Sequence, residues 1–257
     1  MKKTNIFGVI FIMAIMMFTS CLEEGTDSDS ISDVGVIDSL SSPGKVMYLS
    51  ENIYIYSEAG EFADYKNGDC CYVTYALNGD SAMFSTNGYY TVQVLESGKI
   101  DQYDLLSGLT DTSKLLPNET AIINPVYGNE GRYVKGRLFI RQQLNSLQNQ
   151  QTCWNLSYVP DFNDVEKGSN GYRIYDVFLR ATITTEGSGT SGSDYVTNAY
   201  NMSDYFDSVA NIEKNLGNEA FNIRFNYVSA IDTVNSRMTW KQSSGVSILV
   251  ETILPEE

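Results

Sequence analysis

The acid–base chemistry open to this 257-residue sequence rests on carboxylates, because it holds 32 Asp and Glu and no histidine. The missing imidazole removes the commonest general base near neutral pH. Ser-His-Asp and Cys-His nucleophilic machinery, histidine-containing zinc sites and the usual haem ligands go with it. Carboxylate pairs and oxygen-ligated calcium remain. Glu58 with Glu61 and Asp204 with Asp207 are close enough in sequence to consider as a glycosidase pair. Nothing else marks them, since such pairs arise by chance in so acidic a chain and the separation that decides the chemistry is set by the fold. No catalytic residue is assigned and no cofactor is expected. The segment DFNDVEKGSNG at 161–171 concentrates Asp161, Asn163, Asp164 and Glu166, whose oxygens suit calcium. The EF-hand glycine and distal glutamate are absent, so a solvated inter-strand loop is the competing and favoured reading.

Aromatic side chains offer a second chemistry. Among 18 tyrosines and 2 tryptophans, Trp154 and Trp240 with Tyr54, Tyr56, Tyr89 and Tyr90 make a candidate platform for sugars or peptides. The commoner use of strand aromatics is core and cross-strand packing. Tyr54 and Tyr56 are the best exceptions, because alternation in NIYIYS sets them opposite Ile53 and Ile55. Trp154 is the third ligand-binding candidate. Of the four cysteines, Cys21 has a separate role, and Cys70, Cys71 and Cys153 are an odd number that cannot be fully paired. Neighbours in a strand point to opposite faces, which places one of Cys70 and Cys71 in a core and the other outward. A bridge from Cys153 to either remains open, with buried free thiols the favoured state.

The sequence opens with Lys2 and Lys3, an apolar run from Ile6 to Phe18 and the small residues Thr19-Ser20 before Cys21. That is a signal peptide over 1–20 followed by a lipid-attachment cysteine, too short in its apolar part to span a bilayer comfortably. Cleavage leaves 15 basic residues against 32 acidic ones. No basic stripe exists to neutralise a phosphate backbone, so nucleic acid is excluded as a partner. The same acidity opposes lying on anionic lipid, leaving the lipid anchor as the membrane contact.

Elements able to position these groups follow from the spacing. Residues 21–44 are rich in Ser, Asp, Glu and Gly and read as a lipidated flexible tether. From Lys45 short alternating runs separated by Gly, Asn and Asp turns read as strands, with a second set after Pro125. The expected domains are 45–124 and 125–257. Phe221, Ile223, Phe225 and Tyr227 alternate with Asn222, Arg224 and Asn226, the pattern of a sheet with one wet face. In 172–184, Asp176 and Arg180 share a face with Phe178, which predicts a bend or bulge. GSGTSGSD at 187–194 reads as a flexible loop. One short helix is expected over SDYFDSVANIEKNLG, with Ser203 at its N-cap and Gly217 as its stop.

NGDCCYVTYALNGD at 67–80, GYYTVQVLESGKI at 88–100 and FNIRFNYV at 221–228 resemble segments of the NigD-like family of exported lipoproteins, and the likeness runs over nearly the whole mature chain. The resemblance implies an all-β fold: an N-terminal OB-like small barrel followed by a C-terminal immunoglobulin-like β-sandwich. It carries over no catalytic residue. Glu23 and Glu24 after Cys21 resemble the signal by which some Gram-negative anaerobes place lipoproteins outside the outer membrane. Lipoproteins of that kind often carry O-glycans at Asp-Ser/Thr followed by a small or aliphatic residue, which points to Ser30 and Ser39 in the expected tether. The function expected is a lipid-anchored, surface-exposed, non-enzymatic binding or accessory module for a glycan or protein ligand. A carboxylate-dependent glycan hydrolase and a fimbrillin-like assembly subunit are the alternatives. Three or more acids grouped with Trp or Tyr in one deep cleft would favour the hydrolase.

Overall fold

The computed structural model describes residues 30–77, 88–108, 111–125, 132–162 and 165–254. The first unit is a closed five-stranded barrel in the order β1-β2-β3-β5-β4. Strand β1 (Ser30–Ser39) pairs antiparallel with β2 (Lys45–Tyr48) and with β4 (Cys70–Leu77). Strand β3 (Tyr54–Tyr56) lies antiparallel to β2 and parallel to β5 (Tyr89–Lys99), and β5 returns antiparallel to β4. Alternation fills the interior with Ile37, Met47, Ile55, Cys71, Val73 and Val92. β1 changes partner at Val36, which pairs with both Tyr48 and Cys70. Gly35 sits at this switch, where a Cβ would lie 2.0 Å from the Tyr48 carbonyl oxygen. Closing the barrel therefore needs a residue without a side chain there.

The expected tether is overturned over 30–39, which is the first barrel strand. Its Ser/Asp-rich composition hid it, but Val36 and Ile37 are buried and the strand gains ladders on both edges. Ile53, expected inside with Ile55, precedes β3 and is 43% exposed, because the turn from β2 closes on its carbonyl.

The second unit is a sheet ordered β15-β14-β12-β11-β6-β13-β10-β8. Its paired halves are β10 (Arg137–Gln148) with β13 (Ser188–Asn201), and β11 (Gln151–Tyr158) with β12 (Ile174–Thr185). Strand β6 (Gln102–Ser107) lies parallel to both β11 and β13 and joins the halves. Strand β14 (Ala220–Asp232) adds parallel to β12 and carries β15 (Arg237–Gln242) and β16 (Val246–Leu249) on its other edge. The short strands β7 (Glu119–Thr120) and β9 (Arg132–Val134) pair with β12 and β10. The sheet curls over one core that includes Trp154, Leu156, Val177, Leu179, Phe221 and Phe225 until β8 (Ile122–Asn124) approaches β14. Since β6, β7 and β8 belong here, the boundary falls near Ile100 and Asp101, not at Pro125. Ile100, Val36 and Cys70 of the barrel pack on Val134, Phe139 and Ala199 of the sheet.

Helix α1 (Ser203–Asn215) lays Tyr205, Phe206, Val209 and Ala210 on the core. Its N-cap is Met202, without a side-chain capping bond; Ser203 is the first helical residue. Gly217 ends the segment with φ of 76°, as its position implies. A four-residue turn, α2 (Val250–Ile253), follows β16. Residues 188–194 are not a loop but the exposed half of β13, held by register with β10, as in Asp194 opposite Leu144, and by a 2.7 Å hydrogen bond from Gln143 to Ser193. β12 stays in register through Asp176, opposite Arg224, and Arg180, opposite Asn155, with no bulge there. The wet face expected on β14 is polar but covered: Asn222 bonds Asn170 and Ser247, and Asn226 bonds Asp176 and Gln242.

Candidate functional site

Tyr54 and Tyr56 flank Ile55, which is 1% exposed, so the pleat turns both rings to the outside of the barrel. On either side the ladder brings a further ring: Tyr48 opposite Tyr54 on β2 and Tyr89 beside it on β5. The centroids are 5.0 Å apart for Tyr48 and Tyr54, 6.1 Å for Tyr54 and Tyr89, and 5.8 Å for Tyr89 and Tyr56. Four half-buried rings thus form one continuous stripe across three strands. Gly88, with φ of 87°, lets the chain enter β5 beneath it; a Cβ there would meet the Tyr54 hydroxyl at 3.2 Å. One end is fixed by the second unit, where Lys135 sits 3.9 Å from the Tyr48 ring centre and 2.7 Å from Asp38. Such a stripe offers ring faces for stacking.

The other aromatic candidates are elsewhere. Trp154 is 3% exposed, in the core of the second unit, because β11 turns it inward beside Leu156; it is not part of the platform. Trp240 donates its indole N–H to the Thr112 carbonyl at 3.0 Å and lies under Arg180. Tyr90, one residue on from Tyr89, packs against the barrel interior.

The acidic candidates do not converge. Ser57 donates to Glu61, while Glu58, Asp204 and Asp207 are exposed. Glu166 is 2.9 Å from the Arg224 guanidinium, which also takes both oxygens of Asp176, so the position offered to calcium already faces a cation. Asp161 is exposed, and Asn163 and Asp164 lie outside the described residues. Among the described residues no group of three acids or cysteines is placed to hold a metal ion. Cys70 and Cys71 face opposite ways yet both are buried, Cys71 in the barrel and Cys70 under the second sheet. Burial pushes their thiols up to about 11 and about 12. Cys153 is partly buried, and none of the three is bridged. Ser30 and Ser39 are exposed but stand at the two ends of β1, with Ser39 donating to Asn67 at 2.8 Å, so the expectation of a disordered setting does not hold. Cys21, Glu23 and Glu24 lie outside the described residues.

Two cavities were not foreseen. One, of about 830 Å³, is a cleft between the barrel's β1, β4 and β5 and the face of β10 and β13, crossed by the Asp33 to Arg132 ion pair. The other, of about 540 Å³, lies between the ends of β11 and β13, with Tyr103, Cys153 and Asp194 on its walls. Each is lined by only two acids. The separate strands that build them are far apart in sequence, so no local pattern signals them.

Residues 25–98 match the family described as Lipoprotein OB domain, which spans the barrel and starts within the expected tether. That match and the strand order β1-β2-β3-β5-β4 agree on an OB fold for the barrel. The fold of the whole described chain resembles a crystal structure of an uncharacterised protein from Parabacteroides merdae ATCC 43184, at 21% identity over 86% of this chain and 99% of that one, with a TM-score of 0.71. It also resembles a protein of unknown function from Bacteroides vulgatus ATCC 8482, at 11% identity over 84% and 90%, TM-score 0.50. A NigD-like immunity protein from Bacteroides caccae ATCC 43185 is a further neighbour, at 9% identity over 85% and 97%, TM-score 0.48. No curated protein matches.

Proposed function

We propose that the protein is a lipid-anchored, non-enzymatic binding module of the outer membrane, displayed at the cell surface, which takes a glycan or protein ligand on the tyrosine stripe. The observation that carries this is the unbroken run Tyr48, Tyr54, Tyr89, Tyr56 over β2, β3 and β5. Strands two and three present the face on which OB barrels bind oligosaccharides and oligonucleotides, and an acidic chain repels the latter. The anchor rests on the match to a lipoprotein domain and on Cys21 after its leader; surface display rests on Glu23 and Glu24. Aromatic faces give the stripe more reach toward sugar rings and aromatic side chains than toward ions. The test is a glycan array and a pull-down from the same cells with the full chain, run for wild type and for the Tyr54→Ala/Tyr56→Ala double variant. Capture should fall by roughly tenfold or more, a loss of ~1.4 kcal/mol or more, in a variant that melts like wild type. Undiminished capture by the variant contradicts the proposal.

A further inference from the structure

Strands β1, β3 and β5 run in one direction around the barrel, since β1 and β3 each lie antiparallel to β2, and β5 lies parallel to β3. Their first residues, Ser30, Tyr54 and Tyr89, therefore open on the same rim, where β4, running the other way, finishes at Leu77. Two of the three belong to the tyrosine stripe. Ile31 and Ile53, 37% and 43% exposed, stand at this rim as well, one as the second residue of β1 and the other just before β3. The apolar contact with the second unit is made at the opposite rim, through Cys70, which opens β4, and Ile100, which follows β5.

Ser30 is also the point at which the anchor-bearing sequence enters the barrel. It stands nine residues beyond Cys21, and a chain of that length spans at most about 32 Å when fully extended. With lipid on Cys21, the rim that opens the stripe is held within that distance of the bilayer. Tyrosine rings and exposed aliphatic side chains suit the head-group layer of a membrane, where amphipathic rings concentrate. A bare anionic lipid surface is a poor partner for them, because the chain sets 32 acidic residues against 17 basic ones. An uncharged sugar presented on a lipid meets both conditions: it offers a ring-sized C–H face for stacking, and its own lipid keeps it in the layer that the anchor reaches. Confinement of both partners to one membrane also raises their effective concentration without any new contact. We infer that the stripe takes its ligand from the anchoring membrane itself, a saccharide head group carried by a lipid of the same leaflet. The inference rests on the reading of the stripe as the binding surface and of Cys21 as the anchor.

The test reads hydrogen–deuterium exchange of the lipidated full chain in vesicles of phosphatidylethanolamine and phosphatidylglycerol, with and without glycolipid extracted from the outer membrane of the same cells. Exchange over residues 52–56 and 88–91 should slow by roughly fivefold or more on the glycolipid vesicles and stay unchanged on the bare ones. The Tyr54→Ala/Tyr56→Ala double variant, melting like wild type, should lose that protection. Inserting roughly twenty Gly and Ser residues between Asp29 and Ser30 should raise the glycolipid content needed for half protection by roughly twofold or more, because a longer tether dilutes the rim away from the surface. Equal slowing on bare vesicles overturns the inference, as does a lengthened tether that leaves the half-point where it was. Unslowed exchange on the glycolipid vesicles overturns it too. In that event, stripe-dependent capture on the glycan array leaves the stripe standing as a binding surface for a ligand from elsewhere, whereas absence of capture there and in the pull-down removes both readings.

Discussion

Glu119 has no exposed side-chain surface, and both its oxygens accept from Arg180, at 2.7 Å and 2.6 Å. Arg180 also donates to the Asp111 carbonyl at 3.2 Å, so the pair straps 111–120 across the outer face of β12. In the sequence this arginine is a charged misfit in a strand, because its partner is 61 positions away. Removing one member leaves the other buried and uncompensated, so Glu119→Gln should cost about 3–5 kcal/mol in urea denaturation; a loss below ~1 kcal/mol would show the strap to be incidental. The cysteines give a second test at this scale. Cys70 and Cys71 are buried and their thiols raised, whereas Cys153 is partly exposed. Iodoacetamide should label only Cys153 of these three in the native protein and all three in denaturant. Native labelling of Cys70 would mean that the two units separate in solution.

Elements were legible where side-chain period and burial agree. Phe221, Ile223 and Phe225 alternate and are buried as their spacing implies, and Val73 and Tyr75 fill the barrel. Val73→Ala and Phe225→Ala should each lower stability by roughly 1–5 kcal/mol, read from denaturation midpoints. The hidden elements are those in which the backbone ladder outweighs the side chains. Strand β1 and the start of β13 are rich in Ser, Asp and Gly, and each is kept in place by register with neighbours contributed from elsewhere in the chain. Gly35 shows how specific that fit is: Gly35→Ala should cost about 1–3 kcal/mol by forcing β1 from the Tyr48 carbonyl, and an unchanged melting temperature would mean that the crossing is looser than it stands here. The candidate site was half legible for the same reason. Tyr54 and Tyr56 share one strand face, a local property, but Tyr48 and Tyr89 join them only through cross-strand register, and Trp154 was misplaced because alternation alone does not say which face of β11 is covered.

At the scale of the molecule, the turn carrying Lys135 ties the two units together, with its amine on Asp38 at 2.7 Å and its amide N–H donating to Glu51 at 2.9 Å. The hydrogen bond from Lys135 holds the Asp38 carboxyl below its ordinary value of 3.8. A carboxylate so lowered stabilises the folded state above its unfolded value, and that contribution is lost as the pH falls through the folded value. The melting temperature should therefore drop below pH 3.8, and Lys135→Met should flatten that part of the profile. An identical slope in the variant would remove Asp38 from the clamp. Cys21→Ala should release the protein from membrane fractions with its fold intact, since the anchor proposed is lipid alone; retention would contradict that. The central claim is that the stripe is the recognition surface, and hydrogen–deuterium exchange of the full chain with and without its captured ligand tests it most directly. The account predicts slowed exchange over residues 45–56 and 88–91; exchange unchanged there, with protection confined to other strands, would contradict it.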